Sequence, residues 1–461
     1  MDRTAVGALG FSYPASVASR EWLDQNGDPY LLKTMSSWGM AQNLSNANIT
    51  TALEGLKARG FNAVTVGLPG QSYGGDWARY ENAAGDQYFA TVAGGNMAGT
   101  PWSSELGAAW STFDHIMDEA TRLGMTVVIS LYTGFGTMGC EADIISAGTT
   151  AMYDFGVALA TRYANYPNVV WHIGADDNWV YNNGPGSVVD SFYDGIRDAE
   201  GSTHRLWVAE PNNGSTSYAQ WTSAFTGTGG FTYFRLNANN VYDYGDNSVD
   251  QFDAVYTEPG ATTYPVWDAE PPYVGAPHYG GNERQQLRER NYATFIRGGI
   301  GINYGHEDWW SFDYSDLFDA PGTNSWTEVP TEPELYDAEH AWALLDTYRS
   351  DATWAPDAGS FLKTGVGSGD TKAASGYSNT AALVYFPSSR TIVVDTTVLA
   401  GTDNVRLRWF DPTDGTYDVI ANSEAQSASR SIAYPGNNAA GQGDWVLVID
   451  TANTAPPSTT T

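Results

Sequence analysis

The stretch "VVWHIGADDN" (Val169–Asn178) carries two opposed signals. Its first half is apolar, rich in β-formers and preceded by Pro167, as expected of a strand buried on both faces in a parallel sheet. Its second half passes through Gly174 and Ala175 to two carboxylates and an amide, Asp176, Asp177 and Asn178. A core strand that delivers acids to its own tip belongs to a fold that does chemistry at strand ends.

Outward from this stretch, strand and helix patterns alternate. "MTVVISLY" (Met125–Tyr132) is another continuous apolar run. It follows a segment with Trp110, Phe113, Ile116, Met117, Ala120 and Leu123 on one helical face, stopped by Gly124. "NITTALEGLKARG" predicts a helix ending at Gly60, with "FNAVTVGL" as the next strand, and Asn26-Gly27 predicts a two-residue hairpin turn. Further helices are expected around 149–164, 187–199 and 283–297. Strands starting near residues 29, 61, 125, 168, 204, 231, 264 and 299 make eight. Eight strand–helix repeats predict an α/β chain built as a (β/α)₈ TIM barrel.

Beyond residue 355 the pattern changes to short strands, "TAALVYF", "RTIVVDTTV", "VRLRWFDPTDGTYDVI" and "DWVLVID", with a hairpin at Asp414-Gly415. This predicts a small antiparallel β-sandwich. The expected division is a catalytic barrel over 1–354, the sandwich over 355–451, and a Pro/Thr-rich tail over 452–461 that reads as a linker to further modules. A helix near "ELYDAEHAWALLDTYRS" bridges the two parts.

Charge narrows the partners. With 53 acids against 22 bases the net charge is −31, and the only lysines are Lys33, Lys57, Lys363 and Lys372. Such a surface repels phosphate backbones and anionic lipid, so neither nucleic acid nor membrane is an expected partner. No apolar run approaches the ~20 residues of a membrane span. Cys140 is the single cysteine, which excludes an intrachain disulfide and a thiolate zinc site. The first residues, "MDRTAVGALG", show no signal peptide; together with the tail and the acidity, the expectation is a secreted protein whose signal is absent or removed.

The strand tips carry the chemistry. Strand four ends in Asp176, strand five in Glu210 ("WVAEPNN"), strand seven in Asp268 and Glu270 ("PVWDAEPPY"), and strand eight in His306, Glu307 and Asp308 ("GINYGHEDWW"). Two carboxyls across a pocket suit glycosidic bond cleavage, one protonating the leaving oxygen and the other attacking or activating water. An acid after a strand is more often a helix cap or a solvated loop residue, and Asp177, Glu210 and Glu307 taken singly fit that description. Asp176 with Glu270 does not, since the two come from different strands of one barrel. A divalent-ion pocket of Asp176, Glu270 and His306 is a third reading, but no HExxH or EF-hand spacing supports it, so neither metal nor cofactor is expected. Trp38, Trp179, Trp267, Tyr273, Tyr304, Trp309 and Trp310 fall at or near strand ends, where flat faces suit sugar rings. Trp110, Trp171 and Trp342 read as core, and the "EDWW" pair as the least core-like.

These motifs, with "WLDQNGDPYLLKTMSSW", "LKARGFNAVTV", "RYANYPNVVWHIGADDN", "GGIGINYGHEDWW" and "LRWFDPTDGTYDVI", resemble the apiosidase-like glycoside hydrolases, a (β/α)₈ family with a C-terminal sandwich named for collagen binding. The resemblance implies a retaining glycoside hydrolase with Asp176 as acid/base and Glu270 as nucleophile. It also implies that Trp38, Asn178 and His306 hold the sugar. Ala175 stands where the family has a second Gly, and Lys33-Thr34 where it has Gly-Asp, so arabinofuranosides fit as well as apiosides. The expected substrate is an oligo- or polysaccharide of a cell wall, probed at Trp38, Asn178, Trp179, Trp267, Tyr273, Tyr304, His306 and Trp309. The alternative is a carbohydrate-binding or adhesion protein on a catalytically dead barrel, which keeps the aromatics but does not need both acids.

Overall fold

The computed structural model describes residues 10–70, 80–89, 103–131, 141–174, 186–202, 204–220, 236–244, 248–275, 283–312, 325–400 and 404–451. Asp176, Asp177, Asn178, Trp179, Cys140 and the tail 452–461 lie outside these residues.

Eight parallel strands form a curled sheet: β1 (Leu32–Ser36), β2 (Ala63–Gly67), β3 (Thr126–Ser130), β4 (Val169–His172), β5 (Trp207–Val208), β6 (Asn239–Tyr242), β7 (Val266–Glu270) and β8 (Gly299–Tyr304). Their order is β5-β4-β3-β2-β1-β8-β7-β6, so the first and last strands pair and the sheet rolls up between them. The two-residue strand Ser215–Thr216 adds an antiparallel edge to β6. Among the described residues no strand ladder joins β5 to β6, so the expected barrel is not closed by sheet pairing. Asn237 spans that edge instead. Its N–H donates to the Trp207 carbonyl at 2.9 Å, and its side-chain oxygen accepts from the Trp207 N–H at 2.8 Å.

Inside the roll, Leu32, Ala63, Val128, Val170, Val208, Trp267 and Ala269 are buried together, with Trp22 and Tyr30 in the same cluster. Trp22 comes from the antiparallel strands Pro14–Ala18 and Glu21–Asp24. The turn after them corrects the two-residue hairpin expectation. Asp24 and Asp28 pair by an N–H to carbonyl bond of 2.8 Å, leaving Gln25, Asn26 and Gly27 as a three-residue loop. The Asp24 side chain holds the Asn26 N–H at 2.8 Å, and Gly27 takes the left-handed conformation that such a loop requires (φ 89°).

Among the described residues strand six is Asn239–Tyr242; the strand expected from residue 231 falls on residues 231–235, which lie outside the described set. Asparagine is disfavoured in strands, but here tertiary contacts decide. Asn239 accepts from the Tyr218 N–H at 2.9 Å and donates to Glu258 at 2.7 Å, and Asn240 donates to Ser217 Oγ at 3.0 Å.

The C-terminal part holds a six-stranded and a three-stranded antiparallel sheet. Phe386, Trp409, Trp445, Leu447 and Ile449 of the larger sheet are buried with Leu362, Ile392, Val394 and Ile432 of the smaller. On the other face, Leu383, Tyr385, Phe410, Val446 and Val448 share the main core with Tyr292, Phe295 and Leu345 of the barrel-side helices Glu283–Ile296 and Pro333–Tyr348. Tyr292 stacks on Tyr385 with ring centroids 4.9 Å apart.

Candidate active site

The site is assembled where β7, β8 and the neighbouring strand tips meet. Along β7, Asp268 faces the outer helix and is held by both Arg290 nitrogens at 2.6 and 2.7 Å. Simple alternation would aim Glu270 the same way. The register against β6 shifts between Asp268 and Glu270, and this irregularity re-aims the carboxyl, as bulges beside active sites do. Glu270 then accepts a hydrogen bond from Tyr244 Oη at 2.7 Å. Tyr273 and Glu210 are the further side chains that act on its charge.

Tyr273 reaches that position because the chain after Pro271-Pro272 returns to the end of β8. The Val274 N–H bonds the Gly305 carbonyl at 3.1 Å, and the Glu307 N–H bonds the Val274 carbonyl at 2.9 Å. The Tyr273 ring thereby lies on Gly305, where a Cβ would collide with it. Trp38 Nε1 donates to the Tyr273 hydroxyl at 3.0 Å, and Trp38, Tyr273 and Trp310 form a small aromatic cluster of their own. Behind Trp38 stands His172, the last residue of β4, with its ring 5.9 Å from Trp38 and 5.7 Å from Trp267. Its Nδ1 pairs with Ser130 Oγ at 2.9 Å. Burial pushes its pKa down to about 3, so the imidazole is neutral.

The electrostatics of the site are those of buried acids. Burial lifts the Glu270 carboxyl above its ordinary range, and hydrogen bonds from Glu210, Tyr244 and Tyr273 offset part of that rise. Burial and then the nearby Glu270 charge hold both phenols well above their usual range, so Tyr244 and Tyr273 stay protonated donors. Burial also raises Glu307, which accepts from Trp310 Nε1 at 3.1 Å.

The residues expected at the site do not all arrive there. Glu270, Trp38 and Tyr273 come together as described. Trp267 sits within the barrel interior, against His172. Tyr304 lies on the outer side of β8, edge-on to Phe61 and Trp342, away from Glu270. Trp309 is fully buried beside Phe312 and Trp326 and donates to Ser37 Oγ at 2.8 Å, so this member of the "EDWW" pair is core, whereas Trp310 joins Trp38 and Tyr273. His306 spends both ring nitrogens on the protein. Its Nδ1 accepts from the Asp308 N–H at 3.1 Å as the cap of the short helix Glu307–Trp310, and its Nε2 pairs with Glu332 at 2.6 Å. Ligand atoms of His306, Asp308 and Glu332 do lie within 4.8 Å of one another. With both nitrogens engaged, the group reads as a cap and clamp, not a metal-ligand set. Lys33 points to Asp346 at 2.6 Å, outside the site. Asp176, Asn178 and Trp179 follow directly from β4, whose Gly174 carbonyl accepts from the Glu210 N–H at 3.1 Å.

Two residues at the site escape a reading from sequence. Tyr244 lies two positions past β6, and placing it requires the correct strand six. His172 is the last residue of β4, and its alternation with Val170 turns it inward.

Comparison with known proteins agrees with this architecture. The family model described as "Apiosidase-like, catalytic domain" matches residues 17–350, and a model named for a collagen-binding domain of a collagenase matches residues 356–450. A glycoside hydrolase family 5 structure from Bacteroides vulgatus superposes with a TM-score of 0.76 at 21% identity, covering 97% of this chain and 95% of its own. A second structure, described as a glycoside hydrolase, gives a TM-score of 0.76 at 19% identity over 96% of this chain and 98% of its own. No protein of curated function matches the chain.

Proposed function

The chain belongs to the apiosidase-like family of glycoside hydrolases, and from that premise we propose that it cleaves a furanoside or related linkage of a cell-wall glycan with retention of configuration. Glu270 attacks the anomeric carbon while Asp176 protonates the leaving oxygen. Asp176 then takes a proton from the water that releases the glycosyl–enzyme ester.

The observation that carries this reading is the environment of Glu270. A nucleophile has to be ionised, desolvated and fixed in direction. Glu270 is 6% exposed, Tyr244 donates to one of its oxygens at 2.7 Å, and Tyr273, itself held by Trp38, adds a second phenol. The acid/base role of Asp176 follows from the resemblance to the family; in the chain Asp176 stands two residues after Gly174.

The aromatic cluster of Trp38, Tyr273 and Trp310 supplies a face for a sugar ring. Secretion fits an enzyme whose substrate is an extracellular polymer. The test is hydrolysis of pectic, arabinan and galactan fragments, with the first-formed anomer followed by NMR. Retained configuration is expected from wild type, and Glu270→Gln and Asp176→Asn should each lose at least 10²–10⁴-fold. An inverted first product, or near-wild-type activity in either variant, overturns the assignment.

A further inference from the structure

The end of the barrel opposite Glu270 holds a cavity of about 470 Å³, within the ~300–1,000 Å³ of small-molecule sites. The N-terminal ends of three strands line it: Leu31 and Lys33 at β1, Asn62 just before β2 and Gly124 just before β3. Phe11 and Pro29 add apolar surface, with Phe11 packed over the bare α-carbon of Gly124. Asp346, from the helix Pro333–Tyr348, completes the charged lining.

The charges here run against the rest of the chain. In a protein of net charge −31 with four lysines, two of them, Lys33 and Lys57, line the same cavity. Lys33 is 5% exposed, and its backbone is fixed by the Asn62 side-chain oxygen, which accepts from the Lys33 N–H at 2.8 Å. Its ammonium donates to Asp346 Oδ2 at 2.6 Å, and an ammonium has two further N–H donors to give. Lys57, in the last turn of the helix Asn46–Ala58, has no hydrogen bond or ion pair among the described residues. Partial burial, and then the Lys33 charge, hold its pKa below the usual lysine value. Two ammoniums brought together repel, and Asp346 offsets only one of them. The lining therefore carries one net positive charge, which a single carboxylate balances and a phosphoryl group, at about −1.5 to −2, exceeds. Asp346 spends Oδ2 on Lys33, and its half-exposed carboxylate leaves Oδ1 to accept from a hydroxyl.

We propose that this cavity is a second binding site, for a sugar acid with one carboxylate: Lys33 and Lys57 hold the carboxylate, Asp346 accepts from a ring hydroxyl, and Phe11 and Pro29 cover an apolar ring face. Occupancy there requires no turnover and is independent of the glycosidase reading.

Titration calorimetry of the full chain with D-glucuronate is expected to show saturable binding that Glu270→Gln keeps, which separates it from the catalytic end. Lys57→Ala should weaken that binding about 10–100-fold, the range for a hydrogen bond to a charged group, and Lys57→Glu should abolish it. Lys57 has no partner to lose, so both variants should melt with wild type. Glucose, which lacks the carboxylate, acetate, which lacks the ring, and inorganic phosphate should each bind at least about tenfold more weakly than glucuronate. Absence of saturable glucuronate binding overturns the inference, as does equal binding by Lys57→Glu. Loss of binding in Glu270→Gln with Lys57→Glu unaffected would place the sugar acid at the catalytic end and overturn it too. Glucose, acetate or phosphate binding as tightly as glucuronate would overturn the assigned ligand class.

Discussion

Tyr273 rests its ring on the bare α-carbon of Gly305, and a Cβ at that position would stand inside the ring's van der Waals radius. The contact joins the loop after β7 to the end of β8 and sets the phenol against Glu270.

Gly305→Ala should therefore act on catalysis through a residue that touches no substrate. The added methyl forces Tyr273 off Gly305 and weakens its bonds to Glu270 and Trp38. Overpacking of this kind costs about 1–3 kcal/mol. A fall in kcat/KM of about 10–100-fold is expected, with the protein still folded by circular dichroism. Full activity in Gly305→Ala would show that Tyr273 does not orient the nucleophile.

Tyr244→Phe removes the hydroxyl that donates to Glu270 at 2.7 Å and leaves the ring in place. Hydrogen bonds to charged groups contribute about 1.5–3 kcal/mol, so a loss of roughly 10–100-fold is expected. The direction with pH follows from linkage. A donor to the ionised form lowers the pKa of Glu270, so its removal raises that pKa. The acid limb of the kcat/KM profile should move to higher pH, and a limb that stays put would separate Tyr244 from the nucleophile.

How much of this was legible in the sequence differs from strand to strand. β3 and β4 are largely apolar runs buried on both faces, and β7, "VWDAE", is set off by Pro265 and Pro271, which makes each readable on its own. β6 is not readable that way, because "NANNVY" owes its strand to side-chain bonds with Tyr218, Glu258 and Ser217, supplied by distant segments. The loss of β6 also hid Tyr244. Glu270 was legible as an acid at a strand tip, but its hydrogen bond from Tyr244 was not, since it depends on the register shift that turns Glu270 away from the side of Asp268. Aromatic count misled at Trp309 and Tyr304, where a strand-end position coincides with full burial.

The helix Gly186–Glu200 carries its own pH response. Asp190 is pushed up to about 7, first by burial and then by the Asp194 charge, and its Oδ1 has no hydrogen-bond partner among the described residues. A carboxyl whose folded pKa is raised contributes stability that is complete below its unfolded pKa, near 3.8, and is lost as pH rises through about 7. Asp190→Asn mimics the protonated form. Its Tm should exceed wild type by a few degrees at pH 8 and much less at pH 5. The same difference at both pH values would assign the effect to something other than this titration.

Arg288 makes the last case, because it ties the barrel to the C-terminal sheets through charges that water does not reach. It is 1% exposed and donates to Asp337 at 2.7 Å and to the two oxygens of Asp444 at 2.8 and 2.9 Å. Asp444 also accepts from Tyr385 Oη at 3.0 Å and Asn438 Nδ2 at 2.8 Å, and Asp337 has Arg284 as a second partner. Removing one partner of such a pair strands a buried charge and typically costs about 3–5 kcal/mol, whereas removing both charges is far milder. Arg288→Met should thus lower Tm markedly, and adding Asp444→Asn should restore much of the loss, since the amide carries no charge and Asp337 keeps Arg284. The site around Glu270 is built from other residues, so the kcat of the single variant should stay within a few-fold of wild type well below its Tm. If Arg288→Met is as stable as wild type, or if the double variant is worse than the single, the join between the two parts does not depend on this ionic contact.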